Sequence, residues 1–219
     1  MKEEPAAPFL RQEKEGLTLY ANGMSLRGDL TRMKPRLKAA RLRSELLIKA
    51  ARIKNKEGTL TAVDATAGLG EDAFLLAAAG WQVYLCEKDP LIGALLEDSL
   101  SRAAEDPEIA EAASRMKLIL GDSREFLAEA GFTPDLVHLD PMFPERQKSA
   151  LVKKKLQLLQ QLEKPCDDEA GLLRSAMEAK PQKILIKRPV KGPYLAGIRP
   201  SYSVAGSVIR YDCILLQDM

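Results

Sequence analysis

From residue 60 onward, short apolar runs alternate with stretches whose apolar residues recur every three or four positions. Leu60–Asp64, Trp81–Glu87, Met116–Leu120, Asp135–Leu139 and Lys183–Lys187 read as strands. Glu71–Ala79, Pro90–Ala104 and Arg124–Ala130 read as the helices between them, with Gly80 closing the first and proline opening the second. Helical patterns recur at Ala150–Leu162 and Asp168–Ala179, after a proline-bounded loop over 140–150. Ser201–Val204 and Ser207–Leu216, around Ala205-Gly206, predict an antiparallel hairpin. Strands joined by helices make an α/β fold: a doubly wound, mostly parallel sheet that binds ligands at the carboxyl ends of its strands. Upstream the pattern is thinner. Residues 1–16 read as a flexible lead and Leu17–Tyr20 as a short strand closed by Asn22-Gly23. Leu37, Ala40, Ser44, Leu47 and Ala51 predict one helix over Pro35–Lys54. The chain divides into an N-terminal appendage over 1–57 and an α/β domain over 58–219.

Composition narrows the class. Of 219 residues, 46% are hydrophobic, enough for a buried core. No apolar run approaches the roughly 20 residues of a membrane span. Met1–Pro8 is acidic and lacks a signal-peptide pattern. Cys86, Cys166 and Cys213 form no CxxC pair and read as free thiols of a reducing cytoplasm, not as metal ligands. His138 is the only histidine, which excludes a multi-histidine metal site; inside a strand it reads as a core histidine and not as the base of a Ser-His-Asp triad. Charge is uneven: Arg27–Lys56 carries eleven Lys/Arg against Asp29 and Glu45, on a chain whose total is +2. A basic segment on an acidic body points to an anionic partner such as nucleic acid, or to a solvated helix face.

The candidate chemistry sits at strand ends. Val63-Asp64-Ala65-Thr66-Ala67-Gly68-Leu69-Gly70-Glu71-Asp72-Ala73 is a strand, a glycine turn and a helix start, the form of a nucleotide-type cofactor loop. Gly68-x-Gly70-x-x-Ala73 satisfies the loose dinucleotide fingerprint, so a NAD enzyme is one reading. The other is an S-adenosylmethionine (SAM) loop, in which Asp64 holds the ammonium of the amino-acid end. Glu87, 17 residues beyond Gly70, is spaced to accept from ribose hydroxyls. Asp122, with Ser123 beside it, is placed to accept from an adenine amino group; an ordinary helix cap is the alternative. The fourth strand ends in Asp140-Pro141-Met142-Phe143-Pro144. A carboxylate, a stiffened backbone and an aromatic suit a planar amine. Asp140 and a carbonyl near Pro141 would orient the amine, and Phe143 would stack on an extruded base. Hydride transfer needs none of this.

The runs Val63–Gly70, Leu139–Pro144, Gln147–Lys154 and Ile186–Pro189 together resemble the RsmJ family, bacterial small-subunit ribosomal RNA (guanine-N2-)-methyltransferases that use SAM. The resemblance covers about Leu60 to the C-terminus and, more faintly, Arg43–Ala50. It implies a class I methyltransferase fold, with cofactor positions at Glu71, Asp72, Glu87, Lys88, Asp122, Ser123 and Asp140, which join Asp64, Gly68 and Gly70 of the glycine loop. The catalytic candidates remain those of the fourth strand end: Asp140, Pro141 and Phe143. Arg usually stands at the positions of Glu71 and Lys88; Lys88 keeps the charge, whereas Glu71 reverses it and is left a backbone contact. The N-terminal part is shorter than in the family. Lys148, Ser149, Lys153, Lys187, Arg188, Arg43 and Lys49 are then RNA-binding candidates, with pairing to acids of the site as the alternative for Lys187 and Arg188. The implied partner is ribosomal RNA or the small subunit, with no metal and no membrane. The rivals are methylation of adenine N6 or of a protein amide, and an RNA-binding protein with a degenerate cofactor site.

Overall fold

The computed structural model describes residues 7–54, 58–141 and 168–216. Ten strands lie within them. β1 (Phe9–Glu13), β2 (Gly16–Ala21) and β3 (Met24–Leu26) form a small antiparallel sheet. β4 (Thr61–Asp64), β5 (Gln82–Glu87), β6 (Met116–Leu120), β7 (Leu136–Leu139), β8 (Lys183–Pro189), β9 (Tyr202–Ala205) and β10 (Ile209–Leu215) form a seven-stranded sheet in the order β6-β5-β4-β7-β8-β10-β9. β4 to β8 run parallel, and β10 lies antiparallel between β8 and β9. The expected doubly wound sheet and C-terminal hairpin are both present. From β4 the chain steps outward to β5 and β6, then returns to place β7 on the other side of β4. That reversal opens a crevice at the carboxyl ends of β4 and β7.

Period-two alternation sends neighbouring residues to opposite faces. Ala62, Leu136 and Leu185 pack on one side, with α3 (Leu46–Ala51), α4 (Glu71–Ala78) and α6 (Ala110–Ala113). Val63, Val137, Ile184 and Ile186 pack on the other, with α7 (Ser123–Glu129) and α8 (Glu169–Glu178). α5 (Pro90–Glu105) starts from an Asp89 cap, whose Oδ1 accepts from Leu91 and Ile92 at 2.9 and 3.0 Å, with Pro90 at the position where a missing N–H costs nothing.

The N-terminal region departs from expectation twice. The lead is not uniformly flexible: Phe9–Glu13 is a strand registered against Gly16–Tyr20. It is held by Phe9 stacked on Tyr20 at 5.4 Å and by Leu19, Ala21 and Leu26 buried against Ile92 and Leu95 of α5. Asn22 and Gly23 both take positive φ (51° and 69°) in the turn to β3, as a tight hairpin requires. Pro35–Lys54 is not one helix. It breaks into α1 (Lys34–Leu37), α2 (Ala39–Ser44) and α3, with Lys38 and Glu45 at ψ 128° and 135°. The breaks bring Arg36 and Glu45 into a two-bond ion pair at 2.8 and 2.8 Å, which one helix would hold about 13 Å apart along its axis. Buried Lys183 ties this segment to the sheet by donating to Ala50 O and Arg52 O at 2.9 and 2.5 Å. No described helix is long and apolar enough to cross a membrane. Cys86 and Cys213 are free and buried.

Candidate active site

Register decides what the crevice contains. Asp64 pairs across the sheet with His138, so both side chains leave on the face covered by α4. Asp140 lies two residues beyond His138 and Lys187 two beyond Leu185, which puts both on that same face. α4 supplies Asp72 from its first turn. The result is a chain of charges: Asp64 Oδ1 lies 3.3 Å from His138 Nδ1, and His138 Nε2 lies 3.8 Å from Asp72 Oδ2. Lys187 Nζ sits 2.7 Å from Asp72 Oδ2 and 2.8 Å from Asp140 Oδ2. Neither histidine contact has hydrogen-bond alignment, so the attraction there is Coulombic.

Burial alone would push the His138 pKa down, but Asp64, Asp72 and Asp140 outweigh it and hold the imidazole above its ordinary value. Burial likewise opposes ionisation of Asp72, and Lys187 and His138 overcome it, leaving that carboxyl below its usual range. Lys187 is raised against burial by Asp72 and Asp140. Tyr211, buried on the same face, is raised by burial and by Asp72.

The glycine loop is held from behind. Gly68 and Gly70 take φ of 54° and 75°; a side chain on Gly70 would come within 2.8 Å of Leu96. Glu87 is buried and accepts from Gly68 N at 2.9 Å and from Asp89 N at 2.8 Å. Gly70 N donates to Ala67 O at 2.8 Å. Both glycine amides, which a pyrophosphate would claim, are thus spent inside the protein. Asp64 Oδ1 accepts from Thr66 N at 3.2 Å, and Thr66 Oγ1 accepts from Asp140 N at 2.7 Å. Thr66 therefore links the cofactor loop to the end of β7, a role for which the sequence offered only proximity to the glycines.

The other candidates separate by face and exposure. Asp122 caps α7, accepting from Arg124 N at 2.9 Å and pairing with the Arg124 guanidinium at 2.6 Å, which holds its carboxyl below the usual range. Ser123 is buried beside it. Lys88 and Glu71 are exposed at the rim, and Pro141 is buried. Lys187 points into the acid cluster. Alternation turns Arg188 to the opposite face, where it is 0% exposed and donates to Pro193 O at 3.0 Å and Glu169 Oε1 at 3.3 Å, away from the acid cluster. Arg43 and Lys49 are exposed, as are Lys38, Arg41, Arg52 and Lys54. Met142, Phe143, Lys148, Ser149, Lys153, Cys166 and the helix expected over Ala150–Leu162 lie outside the described residues. His138, expected to be a core histidine pointing away from Asp140, instead joins the charge cluster, because residues two apart on a strand share a face. Among the described residues no group of His, Cys, Asp and Glu is arranged to hold a metal ion.

A family model described as "Putative SAM-dependent methyltransferase" matches residues 3–216. Ribosomal RNA small subunit methyltransferase J of Pseudomonas fluorescens (strain Pf0-1) is 47% identical over 151 residues, covering 68% of this chain and 58% of that protein. The protein of the same name from Thioalkalivibrio sulfidiphilus (strain HL-EbGR7) is 42% identical over 173 residues, 78% of this chain and 68% of that one. The matched stretch thus spans less than two thirds of the Pseudomonas relative. Among solved structures, the SAM-dependent methyltransferase NGO1261 of Neisseria gonorrhoeae superposes with a TM-score of 0.78 at 29% identity, covering 100% of this chain and 87% of that one. The rRNA methyltransferase aviRa of Streptomyces viridochromogenes shares the fold, with a TM-score of 0.54 at 19% identity over 83% of this chain and 86% of that one.

Proposed function

This chain belongs to the SAM-dependent methyltransferase family, and from that premise we propose that it transfers the methyl group of SAM to the exocyclic N2 of a guanine in small-subunit ribosomal RNA, in the cytoplasm. The observation that carries the reading is Asp140, anchored through its own N–H to Thr66 and through its carboxylate to Lys187, at the strand end beside the glycine loop. A guanine amine is weakly nucleophilic because its lone pair is delocalised into the ring. A carboxylate accepting one N–H, and a carbonyl near Pro141 accepting the other, aim the lone pair at the methyl carbon. The N–C bond then forms as the C–S bond breaks. S-adenosylhomocysteine leaves, and the nitrogen, now acidic, loses its proton to solvent. Orientation supplies most of the acceleration.

Asp64 is suited to the ammonium of SAM, directly or through water, and Glu87 to the ribose hydroxyls; each oxygen of Glu87 accepts one backbone N–H and retains a lone pair. Asp122 would accept from the adenine amine by exchanging one of its bonds to the Arg124 guanidinium. The names of the Pseudomonas and Thioalkalivibrio relatives support the ribosomal substrate. The test is to incubate the protein with SAM and small-subunit RNA, or the assembled subunit, from a strain lacking this activity, then digest the RNA to nucleosides. N2-methylguanosine is expected; N6-methyladenosine, or no methylated nucleoside, sinks the assignment.

The RNA would be docked by the appendage over 1–57. Arg27, Arg32, Lys34 and Arg36 are engaged with Glu15, Asp29, Asp106 with Glu108, and Glu45 respectively. Lys38, Arg41, Arg43 and Lys49 stay exposed. Replacing these four with Gln is expected to flatten the plot of log K against log salt by about 0.7–0.9 for each phosphate no longer neutralised, with SAM affinity unchanged. An unaltered slope returns the segment to a solvated surface.

A further inference from the structure

We propose that Lys187 is a positioning residue that locks the end of β7 to the start of α4, so that Asp140 presents its free carboxylate oxygen to the methyl acceptor while Asp72 stays fixed beside the cofactor loop. This rests on the methyltransferase reading above and deepens it. The geometry is specific. One ammonium lies 2.7 Å from Asp72 Oδ2 and 2.8 Å from Asp140 Oδ2, with only 18% of the lysine side chain exposed. An RNA phosphate would have to displace a carboxylate to reach it. With Oδ2 of Asp140 facing the ammonium, Oδ1 is the less encumbered oxygen to accept from an amine. A single long, rotatable side chain from β8 thereby joins the helix that opens after the glycine loop to the loop that meets the substrate.

Charge balance makes the lysine necessary. Around its ammonium stand Asp72 from α4, Asp140 from β7 and Tyr211 from β10, and behind Asp72 lie His138 from β7 and Asp64 from β4. From the N-terminal segment Arg36, paired with Glu45, adds its field at Asp72 and Glu71. Three carboxylates face one lysine and one histidine. Without Lys187, Asp72 and Asp140 would confront each other with His138 alone to compensate, and their repulsion would raise the proton affinity of the pair. In the fraction of molecules where a proton then resides on Asp140, one oxygen becomes a donor and the other accepts without the charge that strengthens its bond to the amine.

The experiment compares wild type, Lys187→Met and Lys187→Arg. Circular dichroism and thermal melting establish that each variant is folded. Single-turnover methyl transfer is then measured from pH 5 to 9, and aspartate carboxyl carbons are titrated by NMR in the free protein. For Lys187→Met the expected result is a rate about ten- to a hundredfold lower at neutral pH that recovers as pH rises, with one aspartate carboxyl titrating near neutrality. Lys187→Arg should restore a flat profile and most of the rate. The proposal is overturned by a Lys187→Met rate near wild type, or by a uniform loss with an unshifted pH profile. It is equally overturned if the defect lies in RNA affinity and its salt slope. Failure of wild type to methylate ribosomal RNA counts against the functional reading instead, and the carboxyl titration then decides the role of Lys187 alone.

Discussion

Asp140→Ala is expected to lower single-turnover methyl transfer by about a hundredfold or more while S-adenosylhomocysteine and RNA remain bound. The size follows from what the carboxylate does. A misplacement of the acceptor nitrogen by about 1 Å is enough to cost 10²-fold, and truncation removes the group that holds that nitrogen. The fold should tolerate the change. The side chain is 30% exposed, the Asp140 N–H still reaches Thr66 Oγ1 at 2.7 Å, and Lys187 retains Asp72. RNA affinity, spread over many phosphate contacts, should largely persist. Asp140→Asn is the informative companion. Its amide keeps one acceptor oxygen, but satisfying the amine turns the NH₂ toward the Lys187 ammonium, donor against donor. It should therefore fall close to the alanine variant. Filter-binding and calorimetry separate the binding terms from the chemical one. If Asp140→Ala transfers methyl at a rate near wild type, the amine is oriented by something else and the guanine-N2 mechanism is wrong.

How much of this was legible in the sequence depends on which residues are asked. The sheet was legible because its strands are short apolar runs that only two covered faces could bury: Leu136-Val137-His138-Leu139 is buried throughout. Strand ends follow from that, and with them Asp64, Glu87, Asp122 and Asp140. Facing was the weaker inference. Arg188 and Lys187 are adjacent basic residues with the same sequence signal, and alternation sends one to Glu169 behind the sheet and the other to the acid cluster in front. Their roles separate only when the register with β7 and β10 is known. The broken helix over Pro35–Lys54 was illegible for another reason. Its apolar spacing is helical throughout, and the breaks at Lys38 and Glu45 answer to tertiary partners: the Arg36–Glu45 pair and Leu47 and Ala50, buried against the sheet. The strand at Phe9–Glu13 is made by what lies across from it, chiefly Tyr20, because its own residues are mostly exposed.

Glu87→Ala is expected to weaken SAM binding by ~1–3 kcal/mol through the absence of charge-assisted hydrogen bonds to the ribose. It should also change how that binding depends on pH. Burial pushes the Glu87 carboxyl above its ordinary value, against the N–H groups of Asp89 and Gly68, which favour the ionised form. The folded protein therefore holds this proton more tightly than the unfolded chain does. Between the ordinary carboxyl value near 4.5 and the higher folded one, the native state binds more protons than the unfolded state, and stability contributed by this group falls as pH rises. Ribose hydroxyls donate to the carboxylate and not to the acid, so SAM favours the ionised form. Binding should release a fraction of a proton and tighten as pH rises through the folded value, then level off. Calorimetry in two buffers of different ionisation enthalpy reads the release directly; urea titrations at several pH values read the stability slope. Both signals should vanish in Glu87→Ala, whose Gly68 and Asp89 amides are left without their acceptor. Glu87→Gln should fare no better, since its NH₂ would face one of those two N–H groups at the 2.9 or 2.8 Å now spanned by an accepting oxygen. If SAM binds the wild type with no proton release across this window, Glu87 does not meet the ribose and serves only to hold the glycine loop.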